Sequence, residues 1–126
     1  MKLVSKSFLA SLLFFTASAF AAGQLMTEAE LTNIEKQGKS AIISVHADWC
    51  STCKSQDKVF TGLMKDPEYK NVTFYQVEFD TQKDLLKTLK VRSQSTVIVY
   101  KNGKEVVRAT GDTKEVALSK LARQAI

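Results

Sequence analysis

The apolar run from Ala41 to Ala47 leads within three residues to Cys50-Ser51-Thr52-Cys53, and these are the only two cysteines in the chain. A short run centred on Ile42, Ile43 and Val45 reads as a buried strand. The residues after it place Val59, Phe60 and Leu63 at helical spacing, with Asp66-Pro67 as a stop, so a helix is predicted from Cys50 to about Met64. A strand that delivers a cysteine pair into the first turn of a helix has a chemical consequence. Free backbone N–H groups and the positive end of the helix dipole stabilise a thiolate there. Cys50 is therefore the expected nucleophile, and Cys53, one turn along, the resolving thiol that releases a mixed disulfide. Lys54 adds a nearby positive charge, whereas Asp48 would oppose ionisation of Cys50 if its carboxylate turned inward.

The first residues set the expected compartment. Lys2 and Lys6 precede the apolar stretch Phe8 to Phe15, which is followed by small residues and Ala19-Phe20-Ala21. This is the order of a cleavable signal peptide with cleavage after Ala21. The stretch is shorter than the roughly 20 residues that span a bilayer, and nothing later is apolar enough. A leader over 1–21 and one domain over 22–126 are predicted, periplasmic or secreted and not membrane-spanning when mature. The leader carries two lysines and no acid, so the formal charge falls from +5 to +3, with 16 basic residues against 13 acidic ones. Scattered lysines at so mild a charge read as a solvated surface and give no case for nucleic acid. In an oxidising compartment a lone cysteine pair closes by default. As a staple it would be weak, because so short a loop removes little chain entropy, and a redox role is favoured.

The rest of the chain alternates helix and strand signals. Thr27-Glu28-Ala29-Glu30 is a capping box opening a short helix with Leu31 and Ile34, ending near Gly38. Val72 to Phe79 reads as a strand, with Asp80 as the cap of a helix carrying Leu85, Leu86 and Leu89. Thr96 to Tyr100 is a strand, Lys101-Asn102-Gly103-Lys104 a hairpin turn, and Glu105 to Ala109 its return. A last helix opens near Asp112 or Thr113, with Val116, Leu118 and Leu121 inward and Lys120 and Arg123 near its negative end. Phe60 and Met64 fit a core. The sum is an α/β fold: a mixed sheet of two crossover-linked strands and a hairpin, with helices on both faces.

Ala47-Asp48-Trp49-Cys50-Ser51-Thr52-Cys53-Lys54, then Phe79-Asp80, Lys101-Asn102-Gly103 and Thr110-Gly111, resemble the thioredoxin-fold family across essentially the whole mature region. The Ala-Asp-Trp-Cys lead-in and the Asp-Pro after the helix are most similar to the periplasmic reductant-relay branch, including the C-terminal domain of the DsbD type. That similarity implies a Gram-negative periplasm and a disulfide-reducing direction. Three positions depart from the family pattern. The family's cis-proline beside the active site, which helps align substrate, is Ser95 here, in Gln94-Ser95-Thr96. Pro67 is the only proline. A cis bond before a non-proline costs about 2.5 to 4 kcal/mol, so a trans bond is expected, with Ser95 and Thr96 as the substrate-docking residues. The buried acid six residues before the first cysteine is Ser44. Asp57, four residues after Cys53, either takes its place in deprotonating the resolving thiol or is an exposed helix acid. A commonly aromatic position is His46, on the same side of its strand as Ser44.

His46 reads as packing that fills the aromatic site or as a proton acceptor near the thiols. Trp49 reads as a platform beside the redox pair or as core filling. The between-cysteine Ser51-Thr52 lacks the histidine of the family's strong oxidants, which favours a reducing couple. No nucleotide, flavin or haem motif is present, and two cysteines do not make an iron–sulfur site, so no cofactor is expected. The leading function is a thiol-disulfide oxidoreductase acting on disulfide-bearing proteins. In an oxidising compartment a reductant would be recharged by a membrane thiol electron donor. Two other readings remain open at this point. One is a soft-metal module in which Cys50, Cys53 and His46 hold Cu(I). The other is a partner-binding domain with little turnover.

Overall fold

Strands that are apolar on both faces need cover on both. The computed structural model describes residues 23–126, and the expected leader over 1–21 lies outside them. Its elements are β1 (Gln24–Leu25), α1 (Glu28–Gln37), β2 (Ser40–His46), α2 (Ser51–Leu63), a 3-10 turn (Pro67–Tyr69), β3 (Val72–Glu78), α3 (Lys83–Thr88), β4 (Thr96–Lys101), β5 (Lys104–Thr110) and α4 (Glu115–Arg123). The sheet order is β1-β3-β2-β4-β5. β1 and β2 run parallel to β3, and β4 runs antiparallel to both β2 and β5. This is the mixed sheet expected from the sequence. Among the described residues no helix is long and apolar enough to cross a membrane.

Strand alternation divides the core in two. Ile43, Val45, Val77 and Ile98 face one side and pack with Leu31 and Ile34 of α1 and Leu85 and Leu86 of α3. Ile42, Phe74, Val97 and Val99 face the other and pack with Phe60 of α2 and Leu118 and Leu121 of α4. The capping box of α1 is formed in both directions, Thr27 Oγ1 accepting from Glu30 N–H and Glu30 accepting from Thr27 N–H. At the β4–β5 hairpin Asn102 and Gly103 both have positive φ, 52° and 81°, as a two-residue turn between right-twisted strands requires. A side chain at Gly103 would also meet the Glu35 carbonyl at 2.8 Å.

Several sequence expectations are corrected. β1 was not foreseen, because two residues carry no readable alternation; Gln24 and Leu25 add to the edge of β3. α3 starts at Lys83, with Gln82 at its cap position and no side-chain cap, because the Asp80 carboxylate is taken by Trp49. α4 starts at Glu115 with Lys114 at its cap position, past the opening expected near Asp112 or Thr113, and Val116 is 83% exposed instead of inward. One turn further on, Leu118, Leu121 and Ala122 make the buried stripe. Met64 lies just past the end of α2 and is half exposed, so it is no core residue.

Phe60 is fully buried and packs against Phe74 with ring centroids 6.3 Å apart. Phe60→Ala is expected to cost about 3–5 kcal/mol in urea unfolding, since the cavity between α2 and the sheet cannot fully collapse; a loss below about 1 kcal/mol would contradict this packing.

Candidate active site

β2 ends at His46, and the chain turns through Ala47, Asp48 and Trp49 straight into α2. Cys50 N–H donates to the Ala47 carbonyl at 3.0 Å, closing the turn. Cys50 itself is the N-cap of α2, in extended conformation, and its Sγ accepts from Cys53 N–H at 3.1 Å. A sulfur thus holds the position usually taken by a Ser or Asp oxygen. Cys50 and Cys53 are joined in a disulfide with Cα atoms 5.3 Å apart. Both are buried, Cys53 the more deeply, and with Ala47 and the half-buried Phe79 they form a small separate cluster.

The Gln94–Ser95 bond is trans, as expected. Ser95 has φ 63°, an uncommon conformation for a residue with a side chain. Its N–H donates to Val45 O at 2.9 Å, and its carbonyl accepts from Gly111 N–H at 3.1 Å and from Gln56 Nε2 at 3.0 Å. Its backbone is therefore fully engaged within the fold. Its hydroxyl lies 3.2 Å from Cys50 Sγ and 3.4 Å from Cys53 Sγ. Thr96 is buried at the start of β4, its hydroxyl donating to Ser93 O at 2.8 Å and meeting Thr110 Oγ1 at 2.9 Å.

Ser44 takes the buried-acid position and places its hydroxyl 3.4 Å from the Tyr75 carbonyl. The carboxylate comes instead from α2. Asp57 is only 8% exposed, so the exposed-acid reading is overturned: the periodicity that buries Cys53 and Phe60 buries Asp57 as well. Its Oδ2 lies 3.1 Å from His46 Nδ1, a close contact outside hydrogen-bond geometry. His46 Nε2 lies 3.2 Å from Oδ1 of Asp48, whose side chain is otherwise in solvent. Asp48 has turned toward the ring and out to water. Burial pushes the Asp57 carboxyl above its ordinary value, and His46 pulls it back through charge and contact. Burial also raises Glu78, paired with His46 across β2 and β3; His46 counters this, and Asp48, Asp80 and Asp57 add to it.

Both His46 nitrogens face carboxylates rather than the cysteine sulfurs. Among the described residues of this disulfide form, no three His, Cys, Asp or Glu side chains converge as a metal site. Trp49 is 62% exposed, so it does not fill the core. Its indole N–H donates to Asp80 Oδ2 at 2.9 Å and its ring meets Phe79 edge-on at 6.5 Å, which fixes an aromatic surface beside Cys50. Lys54 is exposed in the first turn of α2. The sequence reading missed Gln56, 1% exposed, whose amide ties α2 to Ser95 and, at 2.9 Å, to the Asp112 carbonyl. A polar residue three after Cys53, inside the buried stripe of the helix, was the available signal.

Residues 24–124 match the thioredoxin family profile. Putative thioredoxin-5 of Dictyostelium discoideum is 34% identical over 97 residues, covering 77% of this chain and 88% of that protein. Thioredoxin-1 of Saccharomyces cerevisiae is 27% identical, covering 70% and 84%. Among solved structures, Trxlp from Edwardsiella tarda superposes with a TM-score of 0.75 at 37% identity, covering 79% of this chain and 96% of that one. Mitochondrial thioredoxin 3 from Saccharomyces cerevisiae, in oxidised form, gives 0.70 at 26%, covering 82% and 95%. The chain belongs to the thioredoxin family and is a thiol-disulfide oxidoreductase with Cys50 and Cys53 as its redox pair.

Proposed function

We propose that this protein is an exported reductant that opens disulfides in other proteins, with Cys50 as nucleophile and Cys53 as resolving thiol. The observation that carries the assignment of roles is the position of Cys50 Sγ at the N-cap, accepting from Cys53 N–H, while Cys53 is 1% exposed. The Cys50 thiolate attacks one sulfur of a substrate disulfide, forming Cys50–S–S–R and releasing the other sulfur as a thiolate that takes up a proton. Cys53 then loses its proton and attacks Cys50 Sγ. The new bond is the Cys50–Cys53 disulfide, and the electron pair of the broken bond leaves on the substrate sulfur. Two electrons have passed to the substrate and must be replaced.

Asp57, one turn beyond Cys53 and held by His46, serves as the base for the resolving thiol in the place that Ser44 leaves empty. Trp49 offers the aromatic surface beside which substrate docks, Lys54 adds positive charge to the first turn of α2, and Ser95 and Thr96 border the docking strand. Export rests on the leader over 1–21. The reducing direction rests on the Ser51-Thr52 pair between the cysteines and on the lead-in shared with the periplasmic relay branch. A membrane thiol donor follows from that direction, because an oxidising compartment holds no reduced thiol pool.

Cys53→Ala incubated with an oxidised protein substrate should accumulate mixed disulfides through Cys50, and Cys50→Ala should accumulate none. A passive binding domain would trap nothing in either variant. For Asp57, burial raises the folded-state titration above its ordinary 3.8, so between these two values the folded protein holds a proton that the unfolded chain has lost. Stability at this site therefore falls as pH rises from about 4 through the raised titration. Across that window the Tm of Asp57→Asn, compared with wild type in the disulfide form, should gain with rising pH; a difference flat with pH would contradict the buried assignment.

A further inference from the structure

A hydroxyl group carries one hydrogen and can donate it to one acceptor at a time. In the disulfide form neither sulfur bears a hydrogen, so at 3.2 and 3.4 Å it is Ser95 that donates to the sulfur pair. We propose that in the reduced protein this hydroxyl donates to the Cys50 thiolate, making Ser95 a catalytic residue that holds the nucleophile ionised. The proposal rests on Cys50 being the nucleophile and assigns the second donor that its sulfur requires.

Three observations support it. The first is the donor set: Cys50 Sγ already receives the Cys53 N–H at 3.1 Å, and Ser95 Oγ supplies a side-chain donor from a different element. The second is burial. Cys50 is 4% exposed and Ser95 4% exposed, so water does not compete freely for the sulfur, and a donor built into the fold counts for more there than at the surface. The third is the backbone. Ser95 is held at φ 63° by the hydrogen bond it donates to the Val45 carbonyl of β2 and by those its own carbonyl accepts from Gly111 and Gln56. A side chain in this conformation persists only where its surroundings over-determine it, and such places concentrate at functional sites.

The energetic direction follows from charge. A hydrogen bond to a thiolate is stronger than one to a neutral disulfide sulfur. Ser95 therefore favours the reduced pair over the oxidised one and favours Cys50 thiolate over Cys50 thiol. On reduction two electrons enter the sulfur pair, Cys53 takes a proton and Cys50 keeps the charge that Ser95 stabilises.

The test compares wild type with Ser95→Ala and Ser95→Gly. Both remove the hydroxyl. Glycine also suits a positive φ, so backbone relief and hydroxyl loss are separated, and a folding defect in the alanine variant leaves the glycine variant to decide. The rate of Cys50 alkylation by iodoacetamide is followed against pH in the fully reduced proteins, and the thiol-disulfide equilibrium is set against glutathione. Both variants should alkylate about tenfold more slowly below the wild-type midpoint, with that midpoint moved up. Both should also favour the disulfide about tenfold more, or about 30 mV toward reducing. Profiles that coincide with wild type would overturn the assignment, as would a glycine variant that behaves as wild type while alanine differs. A wild-type Cys50 that titrates in the ordinary range near about 8.5 would overturn the nucleophile assignment itself, and this one with it.

Discussion

The antiparallel pairing of β2 with β4 is the constraint on which the redox end of the molecule depends. Its register matches Ser44 with Val97, and the next contact beyond the ladder is Ser95 N–H to Val45 O. That contact sets Ser95 over the point where β2 hands the chain to α2. The Ala47–Cys50 turn sets the sulfur there from the other direction. Two segments 45 residues apart are thus brought to hydrogen-bond distance by main-chain pairing alone, and the side chains need only be the right length.

On the α2 side of the sheet the core changes character along its length. Phe60, Phe74 and Leu118 fill one end. Toward the cysteines the same helix stripe and the same strand face carry Gln56, Asp57, Ser44 and His46, all buried. Burying such groups is costly unless each finds a partner. Gln56 meets the cost with two carbonyls, and His46 meets Asp48 through Nε2 while its Nδ1 lies 3.1 Å from Asp57. The seam couples the position of α2, and hence of Cys53, to the turn that carries Ser95 into β4. A helix anchored this way presents its N-terminus to Cys50 in one orientation, which is what a thiolate stabilised by directed donors needs.

Much of this was legible in the residues. The order of elements followed from alternation and helical spacing, and the Asn102-Gly103 turn from its requirement for positive φ. The place of Cys50 at the helix start followed from the strand that precedes it. What stayed hidden depends on partners distant in sequence. Asp57 read first as a surface acid, because an isolated helix carboxylate is usually exposed, and only the packing around His46 places it inside. Asp80 looked like a helix cap until Trp49 claimed its carboxylate. Val116 fitted the apolar stripe of α4 until the late start of that helix showed which face is inward. Ser95 was conspicuous as a missing proline, yet its hydroxyl reach to both sulfurs is a three-dimensional fact.

The proposed reductant role assigns a low potential to a pair without a histidine between its cysteines, set at the N-cap of α2. The reduction potential of the Cys50–Cys53 couple in wild-type protein tests it most directly, by equilibration in dithiothreitol buffers and mass-spectrometric counting of alkylated thiols. A reductant should give a value near that of thioredoxin, about −270 mV; a value near about −120 mV, where the strong oxidant of the family lies, would contradict that role.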